Sequence, residues 1–334
     1  MPWCASALGP ESAGVYRVPE QSGRRIIVTG ATSGLGRETA ARLAAAGAGV
    51  VLAVRSVERG EAVASEIRAA ARRPKAGGRL ASSDPVVEVS ELDLASLESV
   101  RAFAARELAS AAPLHGLVNN AGVMAVPRRL TTEDGFELQF GTNFLGPFAL
   151  TNLLLPKLLE HGGTGRPARV ATMSSLVAAF GRIRGKDPQW ERGYSAWPAY
   201  GQSKLADLHL GRHLALTARR RGWGLLSVVA HPGYTRTALQ TAGRNLTRPE
   251  DRQLPPVTRT GVPSQDVSTG AEPMLFAAAD PAAEQGAYYG PSEKFGMVGP
   301  ATRVALPLAA RNTGVAARLW AYAESATGTA LPPR

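Results

Sequence analysis

Residues 24–55 read RRIIVTGATSGLGRETAARLAAAGAGVVLAVR, and this stretch decides the fold. RRIIVTG (24–30) and VVLAVR (50–55) are apolar on successive positions, as strands buried on both faces are, while LGRETAARLAAAG (35–47) carries its apolar residues at helical spacing. Between strand and helix lies TGATSGLG (29–36). Its Gly30, Gly34 and Gly36 allow a tight turn and let backbone N–H groups and a helix N-terminus approach a pyrophosphate. A glycine triplet alone is a weak signal, but in the first turn of a strand-helix-strand unit it points to a dinucleotide, with Thr32, Ser33 and Leu35 as further binding candidates. At the end of the second strand, where an NAD site offers a carboxylate to the ribose 2′-hydroxyl, the chain has Ala53-Val54-Arg55-Ser56. A guanidinium there suits a 2′-phosphate, so NADP(H) is favoured over NAD(H).

Outward from this unit the alternation continues. VERGEAVASEIRAAAR (57–72) reads as a helix, PVVEVSELD (85–93) as a strand, LESVRAFAARELA (97–109) as a helix and HGLVNNAG (115–122) as a strand. A long helix is expected over about 133–160, a strand at ARVATMSS (168–175), a helix over about 198–221, a strand at LLSVVAHPG (225–233), a helix near 268–279, a short strand at AYY (287–289) and a C-terminal helix. The pattern predicts one α/β domain over 23–334, a doubly wound parallel sheet covered by helices on both faces. Residues 1–22 read as an extension, and RRPKAGGRLASSD (72–84) as a surface loop. The Pro/Thr/Arg-rich stretch of about 240–267, within a substrate region of about 234–267, follows the C-terminal end of a strand and is the expected lid.

The 334 residues are 44% apolar and 19% charged, which excludes a disordered or fibrous chain, and no apolar run is long enough to cross a bilayer. A soluble protein of the cytoplasm is expected. The single cysteine, Cys4, permits no internal disulfide or cysteine-rich metal site. The net charge of +11 comes mainly from arginines scattered along the chain, since Lys75, Lys157, Lys186, Lys204 and Lys294 are the only lysines. Scattered solvated arginines rather than a nucleic-acid surface are the expected reading.

Tyr200 and Lys204, four apart in a helical stretch, share one face. Chance supplies roughly 0.1 such pairs in a chain with this many tyrosines and lysines, so the pair alone does not decide. Its chemistry is coherent, because an adjacent ammonium favours the phenolate and is expected to lower the phenol's pKa. Upstream, Ser174 and Ser175 end a strand, where a hydroxyl can hydrogen-bond a substrate oxygen. Asn143, in a mostly apolar helix, needs buried partners and could hold a water near Lys204. His209 and His213 also stand four apart, without a glutamate in the general-base position, and are read as packing or surface residues.

Taken together, TGATSGLG, Asp93-Leu94, NNAG (119–122), Asn143, MSS (173–175), YGQSK (200–204) and HPGYTRT (231–237) resemble the short-chain dehydrogenase/reductase family over about 24–300. The turn's G-x3-G-x-G spacing is that family's. The resemblance implies a Rossmann fold with Tyr200 as acid/base, Lys204 as charge and ribose ligand, Ser175 on the carbonyl oxygen and Asn143 in a proton relay. It also implies Asp93 and Leu94 at the adenine, and Asn120, Ala121 and Gly122 lining the cleft. Pro232, Gly233, Thr235 and Thr237 would lie along the nicotinamide side. Within the family the chain is most similar to the retinol-dehydrogenase-like branch, through TTEDGFELQFGTNFLGPFALTNLLLPKL (131–158) and the long interval from Ser175 to Tyr200, although Pro147 stands where that branch has histidine. No counterpart of the vertebrate members' anchoring N-terminal helix is expected.

The reaction so implied interconverts an alcohol and a ketone or aldehyde with NADP(H). The apolar and aromatic residues of AAFGRIRGKDPQWERGYSAW (178–197) suggest a hydrophobic substrate. Alternatives are reduction of a carbon–carbon double bond, as in protochlorophyllide reductases, and a non-catalytic NADP(H)-binding regulator, which would have no need of Ser175 or of a phenolate at Tyr200. The family forms homodimers and homotetramers, and the sequence favours neither.

Overall fold

A computed structural model describes residues 16–71, 86–162, 166–246, 248, 252–254 and 261–333. Cys4, the first part of the expected extension, the 72–84 insertion with Lys75, and portions of the expected lid lie outside the described residues.

Strands β1 (Arg25–Thr29), β2 (Gly49–Val54), β3 (Val87–Glu91), β4 (Gly116–Asn119), β5 (Ala168–Met173), β6 (Leu225–Ala230) and β7 (Tyr288–Glu293) run parallel, and β8 (Val298–Arg303) closes one edge antiparallel to β7. Their spatial order is β3-β2-β1-β4-β5-β6-β7-β8. The winding direction therefore reverses between β1 and β4, which opens a crevice at the strands' C-terminal ends. Alternate residues of β1 feed two cores. Ile26 and Val28 pack with helices α1 (Gly34–Ala45), α2 (Val57–Ala71) and, farther along the chain, Glu272–Ala279, while Ile27 packs with the opposite layer. That layer is built from α3 (Leu97–Ala109), the helix Gly146–Glu160, the 26-residue helix Ala196–Arg221 and the C-terminal helix Thr313–Thr327.

The expected helix over 133–160 is broken. Thr131 bridges Glu137, a single turn α4 (Leu138–Phe140) follows, Gly141–Leu145 winds as a π turn, and α5 (Gly146–Glu160) begins only then. The buried Glu137 carboxylate accepts the N–H groups of Gln139 (3.0 Å) and Phe140 (2.7 Å) and so fixes the helical start at 138. After α6 (Ala196–Arg221) comes α7 (Leu239–Asn245) in the expected lid, and the helix expected near 268–279 divides at Ala271 into α8 (Val267–Gly270) and α9 (Glu272–Ala279). No strand is expected at β8, whose VGPATR lacks an apolar alternation; β8 precedes α10 (Thr313–Thr327).

Residues 16–22 are not a free extension, since the Tyr16 hydroxyl donates to Asp280 (2.7 Å) and Gln21 is buried. Nor are all arginines solvated. Arg25 is buried and holds Glu107 at 2.6 Å and Glu88 at 2.7 Å, and Arg24 donates to the carbonyls of His115 and Pro167. No helix among the described residues is long and apolar enough to cross a membrane.

His209 on α6 is buried with neither ring nitrogen hydrogen-bonded, and His213 stacks on Trp320 of α10 with ring centroids 4.5 Å apart. Burial pushes His209 and His231 down to about 4. Below the ordinary value near 6.5 the unfolded chain binds protons that these folded imidazoles refuse, so stability falls as pH drops from about 6.5 to about 4. Each contributes a slope of at most about 1.4 kcal/mol per pH unit. Urea titrations from pH 8 to 4 should show this decline, and His209→Leu should flatten it while leaving stability at pH 8 within about 1 kcal/mol; an undiminished slope would contradict the assignment.

Candidate active site

The glycine turn sits at the crevice and is braced from β4. The buried Thr29 hydroxyl accepts the N–H groups of Asn120 (3.0 Å) and Ala121 (3.0 Å), and the Asn120 amide donates to Thr29 O at 2.9 Å. A Cβ on Gly36 would lie 2.3 Å from Gly30 O and 2.4 Å from Asn120 Nδ2, so the start of α1 can approach β4 only as glycine. Gly30 has φ +67° and its N–H donates to Ala53 O at 3.0 Å, which ties the turn to the strand leading to Arg55. Arg55 stands exposed. Ser33 caps α1 in extended geometry with its hydroxyl unengaged by the helix. Glycines, an open hydroxyl and the N-terminus of a 12-residue helix form a donor set that fits a pyrophosphate.

Around this cradle the expected residues divide. The Thr237 side chain lies 3.6–3.7 Å from where a Cβ on Gly34 would stand, so it overhangs the turn. Thr32 and Leu35 are half-buried in the turn itself. Asp93 uses Oδ1 to accept Ala95 N–H at 2.8 Å, and Leu94 is buried with its carbonyl against Gly146, which gives both a local role in the turn before α3. Thr235 is turned inward, its hydroxyl donating to Pro232 O at 2.6 Å. Gly233, at φ +61°, faces Met297 O of the β7–β8 connection, where a Cβ would come within 2.3 Å.

Tyr200 and Lys204 are both buried on α6 and both point toward the C-terminal end of β5. Lys204 Nζ donates to Met173 O at 2.9 Å and to Asp207 Oδ2 at 2.8 Å. A Cβ on Gly122 would lie 3.0 Å from Asn143 Oδ1 and 3.6 Å from Lys204 Nζ, so these three positions converge. The π turn aims Asn143 inward, where Oδ1 accepts Val123 N–H (2.7 Å) and Nδ2 donates to Val123 O and Ser203 Oγ (both 2.9 Å). Both amide protons are thus engaged by protein rather than directed at Lys204. The two serines also separate. Ser174 is buried and donates to Lys204 O at 2.8 Å, whereas Ser175 is half-buried with its hydroxyl beside the Tyr200 phenol, where it favours the phenolate.

The expectation of a lowered phenol is not met in the chain by itself. Burial raises Tyr200 above its ordinary value; Lys204 and the Ser175 hydroxyl pull it down but do not prevail, and Asp207 pushes it further up. Lys204 is also raised, because the charges of Asp207 and Tyr200 outweigh the burial that disfavours the ammonium. Three residues of this site escaped the sequence reading. Thr29 and Asp207 carried a signal, a hydroxyl ending a buried strand and an acid on the buried helix face, whereas Tyr288, whose hydroxyl donates to Ser175 O at 3.3 Å, carried none beyond its strand.

In the 178–197 segment Trp190 and Tyr194 are packing residues. The Arg184 guanidinium lies 4.1 Å from the Trp190 ring, and Tyr194 donates to Val126 O at 2.8 Å. Trp197 remains 54% exposed with its ring 6.1 Å from that of Tyr200, and Phe180, 89% exposed, ends the turn that follows Ser175. Helix α7 closes on the loop after β4, since a Cβ on Gly243 would meet Met124 O at 1.9 Å.

Residues 24–246 match the family model described as short chain dehydrogenase. Retinol dehydrogenase 12 of Mus musculus is 46% identical over 211 residues, 63% of this chain and 61% of that protein. Polyprenol dehydrogenase of Danio rerio is 44% identical over 222 residues, 66% of this chain and 65% of that protein. The chain therefore spans less than two thirds of the length of these relatives. Among solved structures, an uncharacterised protein of Mycobacterium paratuberculosis superposes with a TM-score of 0.73 at 37% identity, covering 95% of this chain and 97% of that one. With its glycine turn, reversed sheet and tyrosine–lysine helix accounted for, the chain belongs to the short chain dehydrogenase family of oxidoreductases.

Proposed function

We propose that this protein is an NADP(H)-dependent oxidoreductase that interconverts an alcohol and a ketone or aldehyde on a hydrophobic substrate. The observation that carries the reading is the meeting of the Tyr200 phenol, the Ser175 hydroxyl and the Lys204 ammonium at the end of β5, next to the glycine cradle. The bound nicotinamide supplies or accepts the hydride. The rest is work for side chains. Ser175 and Tyr200 hydrogen-bond the substrate oxygen, and Tyr200 gives it a proton in reduction or takes one in oxidation. Lys204 lowers the cost of the phenolate so formed. Asn143 serves by fixing Val123 and Ser203, and through Ser203, which donates to Tyr200 O at 2.9 Å, it steadies the helical turn that bears the phenol.

Arg55, Thr237 and the turn over 30–36 would hold the dinucleotide, with Arg55 on its 2′-phosphate. Asn120, Ala121 and Gly122 support the cradle from β4. Exposed Trp197 and Phe180 offer apolar surface beside the reacting groups, which suits the substrate classes named in the retinol and polyprenol dehydrogenase relatives.

Two measurements test this. Tyr200→Phe should lower kcat with NADPH and retinaldehyde by about 10²–10⁴-fold while NADPH still quenches tryptophan fluorescence with nearly unchanged affinity; retained turnover would refute the acid/base role. Arg55→Ala should weaken NADPH by roughly 10–100-fold, the loss of one charge-assisted contact, and leave NADH within about twofold. Equal losses for both cofactors would refute the 2′-phosphate assignment.

A further inference from the structure

Asp207 has no part in the reading above. It follows Lys204 by three positions on α6, is 1% exposed, and accepts from Nζ through Oδ2 at 2.8 Å while Oδ1 has no hydrogen-bond partner. Packing gives no reason for an acid here. Lys204 already holds Met173 O, and burial raises the Asp207 carboxyl to about 7 in spite of the ammonium beside it. A buried carboxylate with one unsatisfied oxygen is costly, so its presence points to an electrostatic task.

We propose that Asp207 is a positioning residue that pins Lys204 from below and, by countering its charge, holds back its pull on the Tyr200 phenol, so that the site is set to give a proton to a carbonyl oxygen rather than to take one from an alcohol. The proposal rests on the acid/base role assigned to Tyr200. In the favoured direction the phenolic O–H bond breaks, its proton passes to the substrate oxygen, and its electron pair stays on Tyr200 beside Lys204. The substrate carbon receives the hydride of the reduced nicotinamide cofactor, so the carbonyl is reduced and the cofactor oxidised.

The surroundings leave this task to Asp207. On α6 the charged or titratable neighbours are Tyr200 and Lys204. From β5 and its end come the hydroxyls of Ser174 and Ser175, and from the π turn the amide of Asn143, all neutral. β7 brings the Tyr288 phenol, which burial raises, and His231, whose ring centroid lies 5.0 Å from that of Tyr288, is neutral because burial pushes it down to about 4. Among these groups Asp207 is the anion that opposes Lys204 at the pH where the phenol titrates.

Asp207→Asn keeps an oxygen for Nζ and removes the charge, so it separates the electrostatic task from packing. Two readouts apply to the full chain, with circular dichroism and melting to establish the fold. In alcohol oxidation with NADP+, the rising limb of the kcat–pH profile should move down by about one pH unit, so that the variant turns over about tenfold faster at a fixed pH on that limb. In the cofactor-free protein, tyrosinate absorbance, taken as the difference from the matching Tyr200→Phe protein, should show the phenol ionising about one pH unit lower. If Asp207→Asn does not fold, Asp207→Ser carries the same expectations. A limb and a phenol that stay in place or move up overturn the proposal. Absence of any NADP(H)-linked turnover in the unaltered protein would instead refute the acid/base reading, and the cofactor-free titration would still decide what Asp207 does to Tyr200.

Discussion

The constraint on which the site depends is the burial of one ammonium. Lys204 is 4% exposed, on the buried face of α6, and such a charge persists only with partners fixed in place. Met173 O and the Asp207 carboxylate are those partners, and each demands something of the surrounding structure. Met173 must end its strand level with the third turn of α6, a height maintained by the Ser174 hydroxyl on Lys204 O. Position 122 has little room for a side chain, because a Cβ there would stand 3.0 Å from Asn143 Oδ1 and 3.6 Å from Nζ. The phenol one turn before the lysine then inherits its location. The geometry of the candidate site follows from accommodating a cation.

A second set of contacts couples that helix to the cofactor cleft. The Thr29 hydroxyl joins the loop after β4 to the end of β1, which places NNAG between the glycine turn and the lysine. The same loop, through Val123, is gripped by Asn143 from the π turn before α5. Polar side chains at the C-terminal ends of β1, β4 and β5 thereby form one connected layer above two apolar cores. This is where the reversal of strand order opens the crevice, so the sheet determines where a dinucleotide fits and the polar layer determines what can react beside it.

The parallel strands were legible because residues such as Ile26, Ile27 and Val28 are apolar on both faces, and the glycine turn because its spacing falls between a strand and a helix. Tyr200 and Lys204 were legible from helical periodicity. What escaped detection depends on contacts distant in the chain. Glu137 starts a helix late because its carboxylate caps the N–H groups of Gln139 and Phe140, and nothing in an apolar stretch with one asparagine announces a π turn. β8 is held by pairing with β7 rather than by its own pattern. Arg25, on β1, looks like any surface arginine until Glu107 of α3 is seen at 2.6 Å. A pairwise view of phenol and ammonium gives the wrong direction for Tyr200 because it omits both burial and the acid below them.

The proposed reaction requires hydride to arrive at a carbonyl carbon while Tyr200 protonates the oxygen. Isotope transfer tests this most directly. The protein would be incubated with retinaldehyde and NADPH bearing deuterium at nicotinamide C4, on the transferred face, and the product examined by mass spectrometry and proton NMR. The expected product is retinol with a single deuterium on the carbinol carbon. Deuterium on a carbon of a former C=C bond, or an alcohol formed without any deuterium, would contradict it.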